Sequence, residues 1–542
     1  ISNTTSISFF SHPKLGFLMA MKLIFSIALL LPLFISHTTA DSLATICNST
    51  LYPTYCQTVL SGNQSSTVYD YGRTSLLKAL FQSNQFLNLV NQYLAIPSLS
   101  VEALRALRDC QTLAALNVDF LQTSFLTVNR TSQILPTKRA DDVHTLLSAL
   151  LTNQQTCANG LRETSSSFTI QNGVGSPLGN DSKLYSVSLA LFSKGWLPRR
   201  RRATSVPVPP ARFLQTNAAA SVKVSGTFTV SQDGTGNFMT INDAISAAPN
   251  NSDGTNGYFM VYVRAGVYQE YVNIGKSKTY LLFVGDGINQ TIITGNRNVV
   301  DGWTTFNSAT FAVTAPNFIG MNFTVRNTAG PEKHQAVALR SGADLSAFYG
   351  CSFEGYQDTL YTHSLRQFYS YCDIYGTVDF IFGNAAVVFQ NCNLYPRLPM
   401  AGQFNAVTAQ GRTDPNQNTG TSMHECNVKP ADDLAPNTGK VTTYLGRPWK
   451  EYSRTVFMQS YLDGFINPAG WKDWNGSSFA LSTLYYAEYG NSGPGSDTSA
   501  RVNWPGYHVI GAADATNFTV SNFIVGDSWL PQTGVPYTAS LL

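Results

Sequence analysis

The sequence predicts two folds in tandem: an all-α four-helix bundle, then an all-β right-handed parallel β-helix. Three observations carry this. Residues 41–195 place apolar side chains at helical spacing, whereas beyond Ser225 short β-branched and aromatic runs alternate with Gly and Asn turns. One element recurs in the second region, as Met321-Asn322-Phe323, Cys351-Ser352-Phe353, Cys372-Asp373-Ile374, Cys392-Asn393-Leu394 and Cys426-Asn427-Val428, at spacings of 30, 21, 20 and 34 residues. Such a period, with insertions at fixed places, marks a solenoid; strands this short with no helical pattern between them make it a β-helix. Finally, two aspartates occupy matched places. Asp358 follows Cys351 by seven residues and Asp379 follows Cys372 by seven, so they stand 21 residues apart, one coil of the repeat.

The elements follow in chain order. At 542 residues, with 43% hydrophobic and 12% charged side chains, the chain has core enough for more than one domain. Residues 1–20, ahead of Met21, read as upstream translated sequence. Residues 21–40 read as a secretory signal: Lys22, a short apolar stretch broken by Pro32, and small residues at Thr38-Thr39-Ala40. The stretch is too short for a stable membrane span, with a retained anchor the alternative. Residues 41–195 form the bundle, with helices expected at Val68–Leu94, Val101–Val128, Arg139–Leu161 and Leu184–Phe192, punctuated by Pro97-Ser98 and Pro136-Thr137. Their apolar stripes are core, and no set of His, Asp or Glu on them points to chemistry. Residues 196–215 form a linker, with Arg199, Arg200, Arg201 and Arg202 ahead of Val206-Pro207-Val208-Pro209-Pro210. It reads as the cut site of a processing protease, with Arg212-Phe213-Leu214 a second candidate; a solvated charge run is the plainer alternative. Residues 216–542 form the β-helix domain.

The basic excess lies wholly in the first part. Residues 1–215 hold 17 Lys and Arg against 9 Asp and Glu, whereas residues 216–542 hold 18 against 23. The acidic solenoid therefore offers no bulk attraction for nucleic acid, and any grip on an anionic substrate comes from local residues. Eight cysteines without a Cys-x-x-Cys pair speak against zinc and for disulfides in an exported chain. Nine Asn-x-Ser/Thr triplets after residue 40 fit the same route. Equivalent residues on neighbouring coils lie roughly 4.8 Å apart. That spacing suits a Cys351–Cys372 disulfide, leaving Cys392 and Cys426 as the other pair.

Stacked carboxylates cannot both ionise cheaply; such a pair keeps one proton over a middle pH range and supplies one nucleophile or base and one acid. Gln357 precedes Asp358, and Gln335 lies 23 residues before Asp358, about one coil earlier. Amide side chains are neutral donors to a developing oxyanion. Each residue alone reads as an exposed strand or turn position; the combination reads as an ester-cleaving site. A serine esterase is disfavoured because no G-x-S-x-G elbow occurs. Gly234-Thr235-Gly236 lacks the Gly-Lys of a phosphate loop and reads as a turn. No acidic cluster calls for calcium, and no cofactor or metal is expected.

Five motifs then carry a resemblance: Gly266-Val267-Tyr268-Gln269-Glu270, Gln335-Ala336-Val337-Ala338-Leu339, Tyr356-Gln357-Asp358-Thr359-Leu360-Tyr361, Asp379-Phe380-Ile381-Phe382-Gly383-Asn384-Ala385 and Leu445-Gly446-Arg447-Pro448-Trp449. In this order they resemble the motifs of plant pectin methylesterases, over roughly residues 225–540. The N-terminal part is similar to the family's pro-region, itself like invertase and pectin methylesterase inhibitors. The resemblance implies disulfides Cys47–Cys56 and Cys110–Cys157. It implies Asp379 as nucleophile toward a galacturonosyl methyl ester, Gln335 and Gln357 as oxyanion donors, and Asp358 as acid then base. Arg447 would orient Asp379, and Tyr361, Phe382, Trp449 and Trp471 would face the sugar rings, with solenoid packing the alternative for Phe382. The implied partners are pectin, the pro-region as intramolecular inhibitor, a processing protease and a separate proteinaceous inhibitor, in the cell wall. Two other readings compete: a β-helix hydrolase or lyase acting on polygalacturonate, and an inhibitor-type binding protein with an inactive solenoid.

Overall fold

The computed structural model describes residues 42–62, 67–163, 168–198 and 222–542. The expected signal, Arg199–Arg202 and Arg212-Phe213-Leu214 lie outside the described residues. No helix among those described is long and apolar enough to cross a membrane.

The N-terminal region is helical: α1 (Leu43–Cys47), α2 (Pro53–Leu60), α3 (Val68–Leu94), α4 (Val101–Val128), α5 (Thr137–Glu163) and α6 (Phe168–Gly195). Side-chain oxygens of Thr67 and Ser100 accept from the amides of Asp70 and Ala103, capping α3 and α4. Leu76, Leu121, Leu147, Leu150, Leu189 and Phe192 close the core between the four long helices. Helix α6 starts well before the expected Leu184 and runs through Gly173, Gly175, Pro177 and Gly179. These residues read as breakers, but Val174 and Leu178 are buried where α6 packs against α3 and α5, and that packing overrides local propensity. Disulfides tie α1 to α2 through Cys47–Cys56 and α4 to α5 through Cys110–Cys157, with Cα separations of 5.5 and 4.7 Å.

The C-terminal region is a parallel β-helix of three sheets with 11, 7 and 8 strands among the described residues. The central coils contribute one strand to each sheet, and neighbouring coils there stay in register. Phe353 lies beside Ile374, Ile374 beside Leu394, and Leu394 beside Val428, all pointing into the core. Rings stack along the axis as well: Phe348, Tyr369 and Phe389 follow at 4.8 and 4.7 Å. Helix α7 (Ile241–Ala247) packs Ile241, Ala244 and Ile245 onto this core near its first coils.

Two expectations need correction. Ser352 pairs with Thr324, so the rung neighbour of Cys351 is Phe323, 28 residues earlier, and the spacing of 30 joined non-equivalent residues. A pattern of period two cannot register a slip of two. More important, Cys351, Cys372, Cys392 and Cys426 are free thiols, fully buried on four successive rungs. In a parallel, in-register ladder the side chains point the same way, so their Cβ atoms stay about 4.8 Å apart. A disulfide needs about 3.5–4.5 Å between Cβ atoms. The thiols reach main-chain carbonyls instead: Cys372 Sγ lies 3.4 Å from the oxygen of Ser370, and Cys426 Sγ lies 3.5 Å from that of Phe389.

Candidate active site

The seven-strand sheet carries the site. Leu339, Leu360 and Ile381 are rung partners that point inward. Their neighbours Arg340, Tyr361, Phe382 and Ala409 therefore form a row on the outer face. Asp358 and Asp379 precede Leu360 and Ile381 by two residues each, so the register carries them to adjacent coils. Both adopt left-handed backbone, φ 61° and 54°. Asp tolerates that region better than most residues, and the turn it makes swings each carboxyl out at the strand entry.

The two aspartates line one cavity of about 330 Å³ with Gln335, Gln357, Tyr361, Phe382, Arg447 and Trp449. Arg447 donates from Nε to Asp379 Oδ1 at 2.8 Å and from Nη2 to Oδ2 at 2.7 Å, a two-point, charge-assisted clamp. Asp358 has no such clamp: burial, the nearby Asp379 charge and Glu163 push its carboxyl well above the usual range, against a smaller pull from Arg447. The two carboxyls are thus unequal by environment. Tyr361 stacks on Phe382 with centroids 4.2 Å apart, and Trp449 meets Phe382 edge-on at 5.8 Å.

Trp471 does not face the cavity. It is 1% exposed, stacks on Tyr486 at 4.1 Å and donates from Nε1 to Glu488 Oε1 at 3.3 Å. Its backbone bridges to Gly446, which makes it an interior residue of the next coil. The tryptophan that lines the cavity is Trp474, whose ring lies 4.2 Å from the Arg447 guanidinium. It sits three residues further along the same loop, where the chain has left the rung, and sequence reasoning missed it. Thr305 and Phe306, from the loop before Phe311–Val313, were missed too.

The remaining lining comes from the bundle. Thr156, Asn159, Arg162 and Glu163 of α5 wall the cavity. Helix α5 lies along the sheet face for its whole length. Glu163 accepts from the Thr305 amide at 3.1 Å, and Thr156 Oγ1 bonds His363 Nε2 at 3.0 Å. Asn384 donates to Thr152 Oγ1 at 2.9 Å, Gln417 to the Ser148 carbonyl at 2.8 Å, and Arg366 to Asp141 and Asp142 at 3.0 and 2.8 Å. Helix α4 adds Asp109, which accepts from Thr304 Oγ1 and from Asn307 Nδ2, the latter at 2.8 Å. Burial pushes the Asp109 carboxyl up to about 7, with Thr304 and Arg340 pulling it back. Tyr361 and Phe382 are each 3% exposed beneath this cover.

A parallel solenoid with an aromatic groove and two unequal carboxyls belongs to the class of β-helix enzymes. Residues 227–527 match the family described as Pectinesterase, and residues 41–191 match the one described as Plant invertase/pectin methylesterase inhibitor. The chain belongs to the pectinesterase family of carboxylic ester hydrolases and carries an inhibitor-like N-terminal region. It is 58% identical over 546 residues to "Probable pectinesterase/pectinesterase inhibitor 41" of Arabidopsis thaliana, covering 93% of this chain and 95% of that one. It is 50% identical over 441 residues to "Pectinesterase 2" of Citrus sinensis, covering 80% and 82%. Among solved structures, "Pectin methylesterase from Carrot" superposes with a TM-score of 0.57 at 53% identity, over 58% of this chain and 98% of that one. That share corresponds in size to the solenoid alone.

Proposed function

We propose that the chain hydrolyses methyl esters of methyl-esterified homogalacturonan, giving pectate and methanol, with Asp379 as nucleophile. The clamp from Arg447, beside an Asp358 held well above the usual carboxylate range, is the observation that carries this reading. An Asp379 oxygen attacks the ester carbonyl carbon. The oxyanion that forms takes hydrogen bonds from the side-chain amides of Gln335 and Gln357. The carbon–oxygen bond to the methoxy group breaks, and the leaving oxygen takes the Asp358 proton to depart as methanol. Asp358, now a carboxylate, removes a proton from water; the hydroxide attacks the acyl–Asp379 bond, releasing the galacturonate acid and freeing Asp379. Tyr361, Phe382, Trp449 and Trp474 offer the faces against which sugar rings pack. No metal or cofactor takes part in these steps.

The same reading makes residues 41–195 a cover over the site, placed by α5. It takes residues 21–40 as a secretory signal, places the enzyme in the cell wall and assigns release to a protease cutting at Arg199–Arg202. A separate inhibitor protein could occupy the groove that the bundle vacates. The test is methanol release from highly methylated pectin, with chain length followed in parallel. Methanol with undiminished chain length supports the reading; shortened chains replace it with a hydrolase or lyase.

A further inference from the structure

The eight-strand sheet carries none of the catalytic residues, yet its outer face holds a second cavity. Val325, Phe353, Ile374 and Leu394 point into the core. Arg326, Glu354, Tyr375 and Tyr395, one residue on from each, therefore stand in a row on the outside. The row floors a cavity of about 500 Å³, walled by Arg397 and residues 430–433. Asn289, whose amide donates to Thr324 Oγ1 at 2.9 Å, lines the end nearest the first coils. No residue of the bundle lines it among the described residues.

The cations of this cavity are already paired. Arg326 donates from Nε to Glu354 and from Nη2 to Asn289 Oδ1, the latter at 2.8 Å. Arg397 donates to Asp433, to the Gly355 carbonyl and to the Tyr356 hydroxyl. Tyr375 and Tyr395 stack with centroids 4.6 Å apart, so their faces are spent on each other while their rims and hydroxyls turn outward. Neither hydroxyl has a hydrogen-bond partner among the described residues. Glu354, Asp432 and Asp433 set three carboxylates against two engaged guanidiniums. That balance repels an anionic chain and suits a neutral sugar, whose hydroxyls both donate and accept.

Asn289 heads the triplet Asn289-Gln290-Thr291. A guanidinium only donates, so the Asn289 atom facing Arg326 is the oxygen. Nδ2 therefore points the other way, without a partner among the described residues. Asn289 is exposed and takes left-handed backbone, φ 62°, which Asn tolerates. Asn517 also heads a triplet and lines a cavity, but its Nδ2 is spent on the Asp514 carbonyl at 3.1 Å.

We propose that Asn289 is a glycosylation site and that this cavity holds the inner sugars of its own glycan. The donor is an oligosaccharide linked to a lipid diphosphate, met on the secretory route before the chain folds. The Asn289 nitrogen bonds to the anomeric carbon of the first sugar. The bond from that carbon to the diphosphate oxygen breaks, and one amide proton passes to the departing lipid diphosphate. On folding, Thr291 Oγ1 is buried between the Asp286 amide and the Val263 carbonyl, and the attached sugars lie along the row. Tyr375 stands two rungs beyond Thr324 and Tyr395 three, at roughly 4.8 Å per rung. A linked pyranose is about as long as a rung is wide, so the second and third sugars come level with the two hydroxyls. The glycan braces successive coils from outside. This rests on the secretory part of the proposed function and not on the ester chemistry.

The test uses the full chain, expressed with residues 21–40 in plant cells whose mannose trimming is blocked, so that every glycan stays open to an endo-N-acetylglucosaminidase. Glycopeptide mapping should find Asn289 occupied in most chains. In the double variant Tyr375→Phe, Tyr395→Phe, each ring stays and each hydroxyl goes. Under native conditions the enzyme should release the Asn289 glycan about tenfold faster from this variant than from the unsubstituted chain, as expected for two neutral hydrogen bonds. After unfolding the two rates should be equal. A chain glycosylated elsewhere but bare at Asn289 overturns the proposal, and so do equal native rates. Should the double variant not fold, Tyr395→Phe alone carries the same outcomes with a smaller rise. A chain without any glycan would sink the secretory reading and this proposal with it.

Discussion

Bundle and solenoid each contain four cysteines, and they use them in opposite ways. The bundle joins all four, two between short neighbouring helices and two between α4 and α5. The solenoid buries all four as thiols on successive rungs. The difference lies in what already holds each fold together. Helices satisfy their backbone bonds internally, so nothing but side-chain packing links one helix to the next. Strands of a parallel coil bond to the coils before and after, and the ladder itself is the cross-link. The ladder also fixes the spacing at which a disulfide cannot close. The division extends to function: the solenoid carries the proposed chemistry and the bundle covers its cavity.

The largest expected effect tests that division. Asp379→Ala should lower methanol release by at least about 10⁴-fold while circular dichroism stays unchanged. Substantial turnover by the Asp379 variant would move the chemistry elsewhere. Next, replacing Cys110 and Cys157 together by alanine should cost the bundle about 4 kcal/mol of unfolding free energy, as expected for opening a loop of this size. A loss below about 1 kcal/mol, read from denaturant titration, would mean that packing alone holds the helices and would erase the contrast.

The cover should also respond to pH. Asp109 sits near 3.8 in water and at about 7 when docked, because burial disfavours its charged form. Docking therefore takes up a proton. It is at full strength below about pH 4, weakens as pH rises and levels off above about 7, a change on the order of 10²- to 10³-fold. Glu163 is shifted in the same direction by burial. Retention of the bundle by a chain nicked in the linker, measured by size exclusion from pH 4 to 7.5, should fall accordingly; Asp109→Asn should flatten the curve. A rise in retention toward neutral pH would contradict the sign. The smallest effect concerns the thiols. Titration without reductant should find no reactive thiol in the native protein and four after unfolding. Cys372→Ala should cost only about 1 kcal/mol. Two thiols or none on unfolding would restore the pairing that the register rules out.

The fold was legible in the sequence because a solenoid writes its period into the chain, and the 21-residue step between the aspartates is the register between Leu360 and Ile381. What stayed hidden was whatever depends on direction rather than spacing. The period showed that Cys351 and Cys372 are neighbours but not that their side chains run parallel. The sequence reading chose Trp471 and missed Trp474 in the same short loop; the bridge of Trp471 to Gly446 is what marks it as the buried one. The start of α6 was hidden because its glycines and proline describe local preference, while Val174 and Leu178 answer to distant helices. The α5 cover left no trace at all, since Thr156, Thr152 and Ser148 form an ordinary polar stripe until the sheet face meets them.

The left-handed backbone at Asp358 and Asp379 has a consequence for which variants this family can tolerate. At φ near +55 to +60° a β-carbon is costly for most side chains, and Asp and Asn are among the few that sit there readily. Glutamate would keep the charge yet strain the turn and overreach the strand entry. Asparagine would keep the shape and the turn and lose only the charge. Under the proposed mechanism, a single-base exchange of Asp for Asn silences the hydrolase without disturbing a rung and leaves the groove intact.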